Sequence, residues 1–506
     1  MKTFLKSGIC LFLCLIFMLS VVSCNKDPND KVTDPSDSVA DTEETNPEEE
    51  DVISEEVLYK PVEKKYDREF AMAMRQSLEV KFYTVSDDYQ LGQGDVVSDA
   101  FYERNLLMEE KYGVIVTATT LSESEFRTAT LGGSKTTDTY SAGAKFLTPL
   151  MLEGCFVDLN TLDSLNLSAS YWGQQAREEF NILGSLYFIE GDYETRNETI
   201  LPGIVYNERV WADRGFYTTY GTPYDLVKQG KWTWETMLTM IDGMYTDLNS
   251  NDTIDIQDSF GIVTDPGMVS ALLTSAGIST LNLTDDEFSF ALEDPTAWDR
   301  FYNTLEDIVE TYYNDVDIVM NNDLKNDFAG ITNMVMEDRV LFRYTSLDVV
   351  FDLGDMASRW GILPVPKYDE NSDYVCYEVG SMAHMMAIVR TTSDKEETAA
   401  IFETLNYHSR YGANSVYSAF FENFRLRKFC ETEDDMEMLQ FVASRLNHNA
   451  DTAFEATGVQ SAITPFVNPR QDITGLYSHF TSLKESAKTK VETLLTKVLE
   501  LQSKNQ

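Results

Sequence analysis

The chain has four histidines, His384, His408, His448 and His479, and no two of them stand at the spacing that a helical zinc-protease site requires. Each is read as a structural or surface histidine. No G-x-S-x-G elbow presents an activated serine, and Gly230-Lys231 lacks the upstream glycine of a phosphate-cradling loop. There is no C-x-x-C pair for a thiolate zinc site or for thiol redox work. Of the six cysteines, Cys10 and Cys14 fall in an apolar N-terminal run and Cys24 follows it, which leaves Cys155, Cys376 and Cys430. An odd, sparse set is no disulfide framework; one pair or three buried thiols both remain open. With 84 Asp and Glu in the chain, residue types alone also leave open a carboxylate pair for glycoside hydrolysis.

One stretch has the composition of a cation site. Asp247, Asn249, Asn251, Asp255 and Asp258 place side-chain oxygens at positions 1, 3, 5, 9 and 12 of a loop, and Ile254 is the apolar residue at position 8. The pattern resembles the twelve-residue EF-hand loop, which wraps one calcium ion in six to eight oxygens, with the carbonyl of Thr253 at position 7. Two departures stand out. Asp252 occupies position 6, where glycine usually makes the turn, and Asp258 is shorter than the usual glutamate at position 12. A calcium ion here would be structural; the plainer alternative is an acidic turn.

The charge balance narrows the class of protein. Against 84 acids stand 40 Lys and Arg, a formal net charge of -44, which excludes nucleic-acid binding through phosphate neutralisation. Apolar residues make up 43% and aromatics 12%, ample for a large core across two or three domains in 506 residues. Lys2 and Lys6 precede the apolar run Ile9 to Leu19, too short to span a bilayer, and the pattern predicts an export signal over residues 1–23. Val21-Val22-Ser23-Cys24 resembles the bacterial lipobox, so Cys24 is the expected lipidated N-terminus. Residues 24–75 are then the anchor and an acidic tether; Asn25 to Glu56 holds no aromatic residue and cannot offset its ordering entropy. The expected location is the outer face of the cell membrane.

Beyond the tether the pattern alternates. Val80 to Val85, Val114 to Val116, Gly184 to Ile189 and Ile204 to Tyr206 read as strands. Helical spacing covers Asp99 to Tyr112, closed by Gly113, and recurs at Trp232 to Tyr245, Asp299 to Tyr313, Lys395 to Tyr407, Asp434 to Leu446 and Ser482 to Gln502, while Pro223 to Val227 reads as a turn. The alternation predicts an α/β fold with helices covering both faces of mostly parallel sheets.

Pro202-Gly203-Ile204-Val205-Tyr206-Asn207-Glu208-Arg209, then Pro223-Tyr224-Asp225-Leu226-Val227 and Gly230-Lys231-Trp232-Thr233-Trp234-Glu235, resemble the middle of extracellular solute-binding proteins of the sugar-binding type, family 1. Trp360-Gly361-Ile362-Leu363-Pro364-Val365-Pro366-Lys367-Tyr368-Asp369 is similar to that family's G-I-L-P-x-P-K-Y string. The resemblance implies two α/β lobes of the periplasmic-binding-protein type II kind, with a ligand cleft between them that closes about a hinge. It implies crossings near Tyr193 to Ile204, Tyr377 to Ala383 and Phe421 to Phe429. Lobe one would comprise 76–198 and 383–425, and lobe two 206–376 and 430–504.

A sugar cleft needs flat aromatic faces and a few oriented polar groups. Trp172, beside Tyr171 and Gly173, is the expected platform, with a core anchor as the alternative. Tyr193 and Glu378 adjoin the first two crossings; Trp360, Arg343, Ser381 and Ser141 follow on position, and Trp232 and Trp234 are expected in the core. The implied function is a monomeric, non-catalytic binder that delivers a sugar or oligosaccharide to ABC permease subunits. A cell-surface carbohydrate-processing enzyme or a sensor lipoprotein is the alternative.

Overall fold

The computed structural model describes residues 61–62, 64–76, 96–194, 201–377, 384–412, 414–426, 430–467 and 473–505. The expected strand Val80 to Val85, the site candidates Glu378 and Ser381, and Cys24 lie outside these residues. The strands are β1 Arg68–Arg75, β2 Val114–Leu121, β3 Thr139–Gly143, β4 Pro202–Asn207, β5 Phe260–Thr264, β6 Leu281–Leu283, β7 Phe288–Phe290, β8 Ile318–Met320, β9 Val340–Ser346, β10 Trp360–Leu363, β11 Cys376–Tyr377, β12 His384–Ile388 and β13 Leu446–Asn447.

Two sheets organise the chain. In lobe one the strand order is β12-β3-β1-β2, and in lobe two it is β10-β4-β9-β5-β8. β1, β2 and β3 run parallel, and β12 joins β3 antiparallel with His384 opposite Gly143. The second sheet is mixed: β4 is antiparallel to both β10 and β9, while β5 runs parallel to β9 and β8. The expectation of mostly parallel sheets therefore fails in lobe two. β4 enters after a crossing from lobe one rather than through a helical crossover, so nothing obliges it to run parallel to its neighbours.

The strands follow from burial. β3, β4 and β5 are buried along their whole length, whereas β2, at a sheet edge, alternates buried Val114, Val116 and Ala118 with outward-facing Ile115 and Thr117. β1 corrects the expected tether boundary. Residues 68–75 pair with β2 over eight positions, and Phe70 and Met72 lie in the core. Asp138, fully buried at the start of β3, fixes this corner: it accepts hydrogen bonds from the Ala71 amide at 3.0 Å, Arg68 at 2.5 Å and the Thr392 hydroxyl at 2.7 Å. Burial pushes its carboxyl up, yet bonds from Lys135, Ala71, Thr392 and Arg68 together hold it below its ordinary value.

Local signals explain two further corrections. The stretch expected as a turn, Pro223 to Val227, is a helix, Pro223–Lys228, because Thr222 and Asp225 form a reciprocal capping box and proline takes the first helical position. Gly184 to Ile189 forms no strand: Gly184 sits at φ 79 in a tight turn closed between Ile182 and Ser185, and Ile189 makes an isolated bridge to Met386. The helix Val96–Tyr112 does end at Gly113, whose φ of 66 suits glycine and whose missing Cβ leaves room for Asp67. Trp232 and Trp234 are in the core as expected, and Cys155, Cys376 and Cys430 are buried thiols.

Candidate functional site

The first crossing begins at Glu190-Gly191-Asp192-Tyr193-Glu194 and re-emerges at Leu201, the residue before β4. Gly191 is needed for close approach. A Cβ there would meet Asn406 Oδ1 at 2.4 Å and the Trp172 ring at 2.9 Å, because the backbones of Trp172 and Gly191 are bridged. On this segment opens a cavity of about 420 Å³. Its lining includes Trp172, Glu190, Asp192, Glu194, Arg410 and Tyr417, together with Gln440, Ser444 and Leu446 from the helix Glu433–Ala443 and the residues after it. It lies where the chain passes between sheets, the place a two-lobed α/β protein offers to a ligand.

Each carboxylate is held from behind. Arg410 pairs with Asp192 at 3.2 Å, His448 Nε2 lies 3.1 Å from Glu190, and His384 Nδ1 lies 2.6 Å from Glu194 Oε1. Burial raises Asp192 to about 7; Arg410 opposes the rise and Glu190 adds to it. Ser141, on β3, touches the same His384, its Oγ 3.2 Å from Nδ1 and 3.3 Å from Nε2. Ser, His and Glu are the residue types of a hydrolytic triad. Here, though, the serine oxygen is shared almost equally between the two ring nitrogens and the side chain is 3% exposed, so it presents no nucleophile to a substrate.

A second cavity, of about 480 Å³, includes Glu178, Glu179, Ser270, Thr280, Asn447 and Asp451 in its lining. Between the two, the helix Gln174–Phe180 docks on the segment from Ser444 to His448. Gln175 donates to the Ser444 carbonyl at 3.2 Å, and Glu179 accepts from the Asn447 side-chain amide at 2.6 Å and from the His448 backbone N–H at 2.9 Å.

The expected site residues separate into two groups. Ser141, Trp172 and Tyr193 gather at the first crossing. Trp172 is a wall and an anchor rather than an open platform: it is 1% exposed, its Nε1–H donates to Glu403 at 3.0 Å, and its ring meets Phe402 edge-on. Tyr193 is wholly buried on Phe402, with its N–H on Asn406. Arg343 and Trp360 lie elsewhere. Arg343 is buried at mid-sheet in lobe two on the Thr332 hydroxyl. Trp360 pairs with Asn207, the end of β4 remote from the crossing, because β10 runs antiparallel to β4. The sequence reading missed Glu190, Asp192, Glu194, Arg410 and His448, although three acids at every second position of one short stretch were legible as a signal.

In the Asp247–Asp258 loop the side-chain oxygens turn inward onto the loop's own amides. Asp247 accepts from Asp252 at 2.8 Å, Asn249 from Asn251 at 3.1 Å, Asn251 from Thr253 at 2.7 Å, Asp255 from Gln257 at 2.7 Å and Asp258 from Asp255 at 3.0 Å. Asp252, at position 6, adopts the left-handed φ of 56. Among the described residues no group of three or more His, Cys, Asp or Glu side chains converges in a metal-holding arrangement.

No protein-family model and no curated protein matches the chain. Solved structures do. An ABC substrate-binding protein from Listeria monocytogenes in complex with cycloalternan aligns at a TM-score of 0.51 and 13% identity, over 85% of this chain and 99% of that one. A cyclo/maltodextrin-binding protein complexed with maltotetraose aligns at 0.53 and 11%, over 89% and 98%. UspC of M. tuberculosis aligns at 0.53 and 13%, over 83% and 100%. At such identities the likeness establishes the fold: the chain has a two-lobed, periplasmic-binding-protein-like α/β architecture.

Proposed function

We propose that this chain is a solute-binding protein that captures a sugar or oligosaccharide between its lobes and delivers it to the permease of an ABC importer. The carrying observation is the cavity at the first crossing, in a fold whose similar structures hold cycloalternan and maltotetraose. Hinge closure about the crossings would enclose the ligand without chemistry. The proposal extends to the N-terminus: residues 1–23 are an export signal, Cys24 carries the lipid, and the acidic stretch after it holds a monomeric binding body off the extracellular face of the cell membrane. It also includes a structural calcium ion in the Asp247–Asp258 loop, which the spacing of its oxygens supports.

A thermal-shift screen against mono- and oligosaccharides tests the reading. A ligand at 100 times its Kd adds about 2.7 kcal/mol to native-state stability. Stabilisation without turnover is expected. Release of new reducing ends from the same sugars would favour a carbohydrate-processing enzyme instead.

A further inference from the structure

Tyr193 lies at the first crossing in no strand or helix, so its buried backbone groups have to be satisfied by side chains. Two helices supply them. From the helix Lys395–Arg410, Asn406 Oδ1 accepts the Tyr193 N–H at 3.1 Å, and from the helix Val96–Tyr112, Arg104 Nη1 donates to the Tyr193 carbonyl at 2.8 Å. The same Nη1 donates to Ser409 Oγ at 2.9 Å, so one guanidinium joins the crossing to both helices. Its Nε and Nη2 donate to Asn105 Oδ1 at 3.1 and 2.9 Å. All of these acceptors are neutral. Arg104 is 5% exposed, and among the described residues no carboxylate pairs with it, although the chain has 84 Asp and Glu to 40 Lys and Arg. Burial pulls its pKa down to about 9, which leaves it charged at neutral pH. A buried charge without a carboxylate is destabilising, and a methionine would fill much the same space without that charge. What the arginine adds is a fork that reaches two acceptors at once and a positive charge beside Tyr193. The residues on either side of Tyr193 are Asp192 and Glu194, both buried and both lining the 420 Å³ cavity.

We propose that Arg104 is a positioning residue for this cavity: by holding the Tyr193 carbonyl it fixes the direction in which Asp192 and Glu194 leave the crossing, and its charge offsets theirs. It touches no ligand itself. The inference rests on the reading above for what the cavity binds, and on the hydrogen bonds alone for how the crossing is held. Without the guanidinium the Tyr193 carbonyl is a buried acceptor with no donor, so the crossing should open locally more often while the sheet beneath it stays closed.

Hydrogen exchange read by mass spectrometry on the mature chain, beside Arg104→Met and Arg104→Lys, decides this. In Arg104→Met the amides of residues 190–194 should exchange about tenfold faster or more, with β1, β2 and β3 at the parent's rate. Arg104→Lys keeps the charge and loses the fork, and should fall between the two. Should the methionine variant not fold, the lysine variant carries the test by the same local signature. Exchange that speeds up evenly across the lobe-one sheet, or not at all at residues 190–194, overturns the positioning role. Calorimetric titration with maltotetraose gives the second readout. Where the parent binds it, Arg104→Met should bind at least about tenfold more weakly and Arg104→Lys should recover most of the loss. Equal affinity in a methionine variant whose crossing has loosened overturns the link from Arg104 to the cavity. If maltotetraose binds none of the three proteins, the result counts against the sugar reading alone, and the exchange pattern still decides whether Arg104 holds the crossing.

Discussion

Glu179, on the helix Gln174–Phe180, clasps His448: the carboxylate takes the His448 backbone N–H at 2.9 Å and, through its other oxygen, the Asn447 side-chain amide at 2.6 Å. Burial raises this carboxyl to about 7; the His448 ring and its N–H oppose the rise. The native pKa thus lies above the ordinary value of 4.5, and the native state binds the proton more tightly than the unfolded chain. The associated stability is fully present below about 4.5 and is lost as pH rises through about 7. Glu179→Gln cannot ionise. Between pH 5 and pH 8 the unaltered protein should lose roughly 2 kcal/mol more stability than the variant. Urea unfolding at the two pH values measures this, and parallel losses would remove Glu179 from the account.

Trp172 should behave as an anchor. Trp172→Phe takes the indole donor from Glu403, whose other oxygen is engaged by the Tyr171 hydroxyl, and should cost about 1–3 kcal/mol. Trp172→Ala adds a cavity beside Phe402 and should cost about 3–5 kcal/mol. Calorimetric unfolding of the ligand-free variants is the check. An alanine variant that melts like the parent would return Trp172 to the role of an exposed sugar platform.

Lipid anchoring is expected to depend on one atom, the sulfur of Cys24. A diacylglyceryl thioether supplies the two acyl chains that stable anchoring requires. Cys24→Ala should move the protein from the membrane to the soluble fraction of fractionated cells, and retention on the membrane would place the anchor elsewhere.

Calcium in the Asp247–Asp258 loop should show in the melting curve. Chelation should lower the melting temperature, and Asp247→Ala should reproduce the effect, since Asp247 carries position 1 and also caps the Asp252 amide. In the variant, chelator should then change nothing further. An unchanged curve for the unaltered protein in chelator, with no calcium by elemental analysis, leaves the loop closed by its own hydrogen bonds.

The elements were legible where local chemistry determines them. The helix ended by Gly113 and the long C-terminal helix, Leu476–Asn505, follow from apolar spacing and caps. The strings that resemble the sugar-binding family became β4 and β10, which lie side by side although far apart in sequence. What was illegible depends on partners distant in the chain. The alternation of Phe70, Met72 and Met74 gives β1 away only once β2 is known to flank it. Trp360 looks as exposed to the cleft as Trp172 until the antiparallel register sends it to the far end of β4. Glu190, Asp192 and Glu194 were visible as acids, but their convergence with Arg410 and His448 depends on residues more than 200 positions downstream.

The pairing of β12 with β3 also governs how the molecule is made. Ser141 and His384 are 243 residues apart, so the inner edge of β3 has no strand to meet until three-quarters of the polypeptide exists. At synthesis rates of about 5–20 residues per second that edge stays bare for roughly 10–50 s. Lobe one cannot be born as a finished unit ahead of lobe two; its last strand arrives only after the whole lobe-two sheet has been translated. A ribosome stalled anywhere between β4 and β11 would therefore display a hydrogen-bonding edge with no native partner, the kind of surface on which chains aggregate and holding chaperones act.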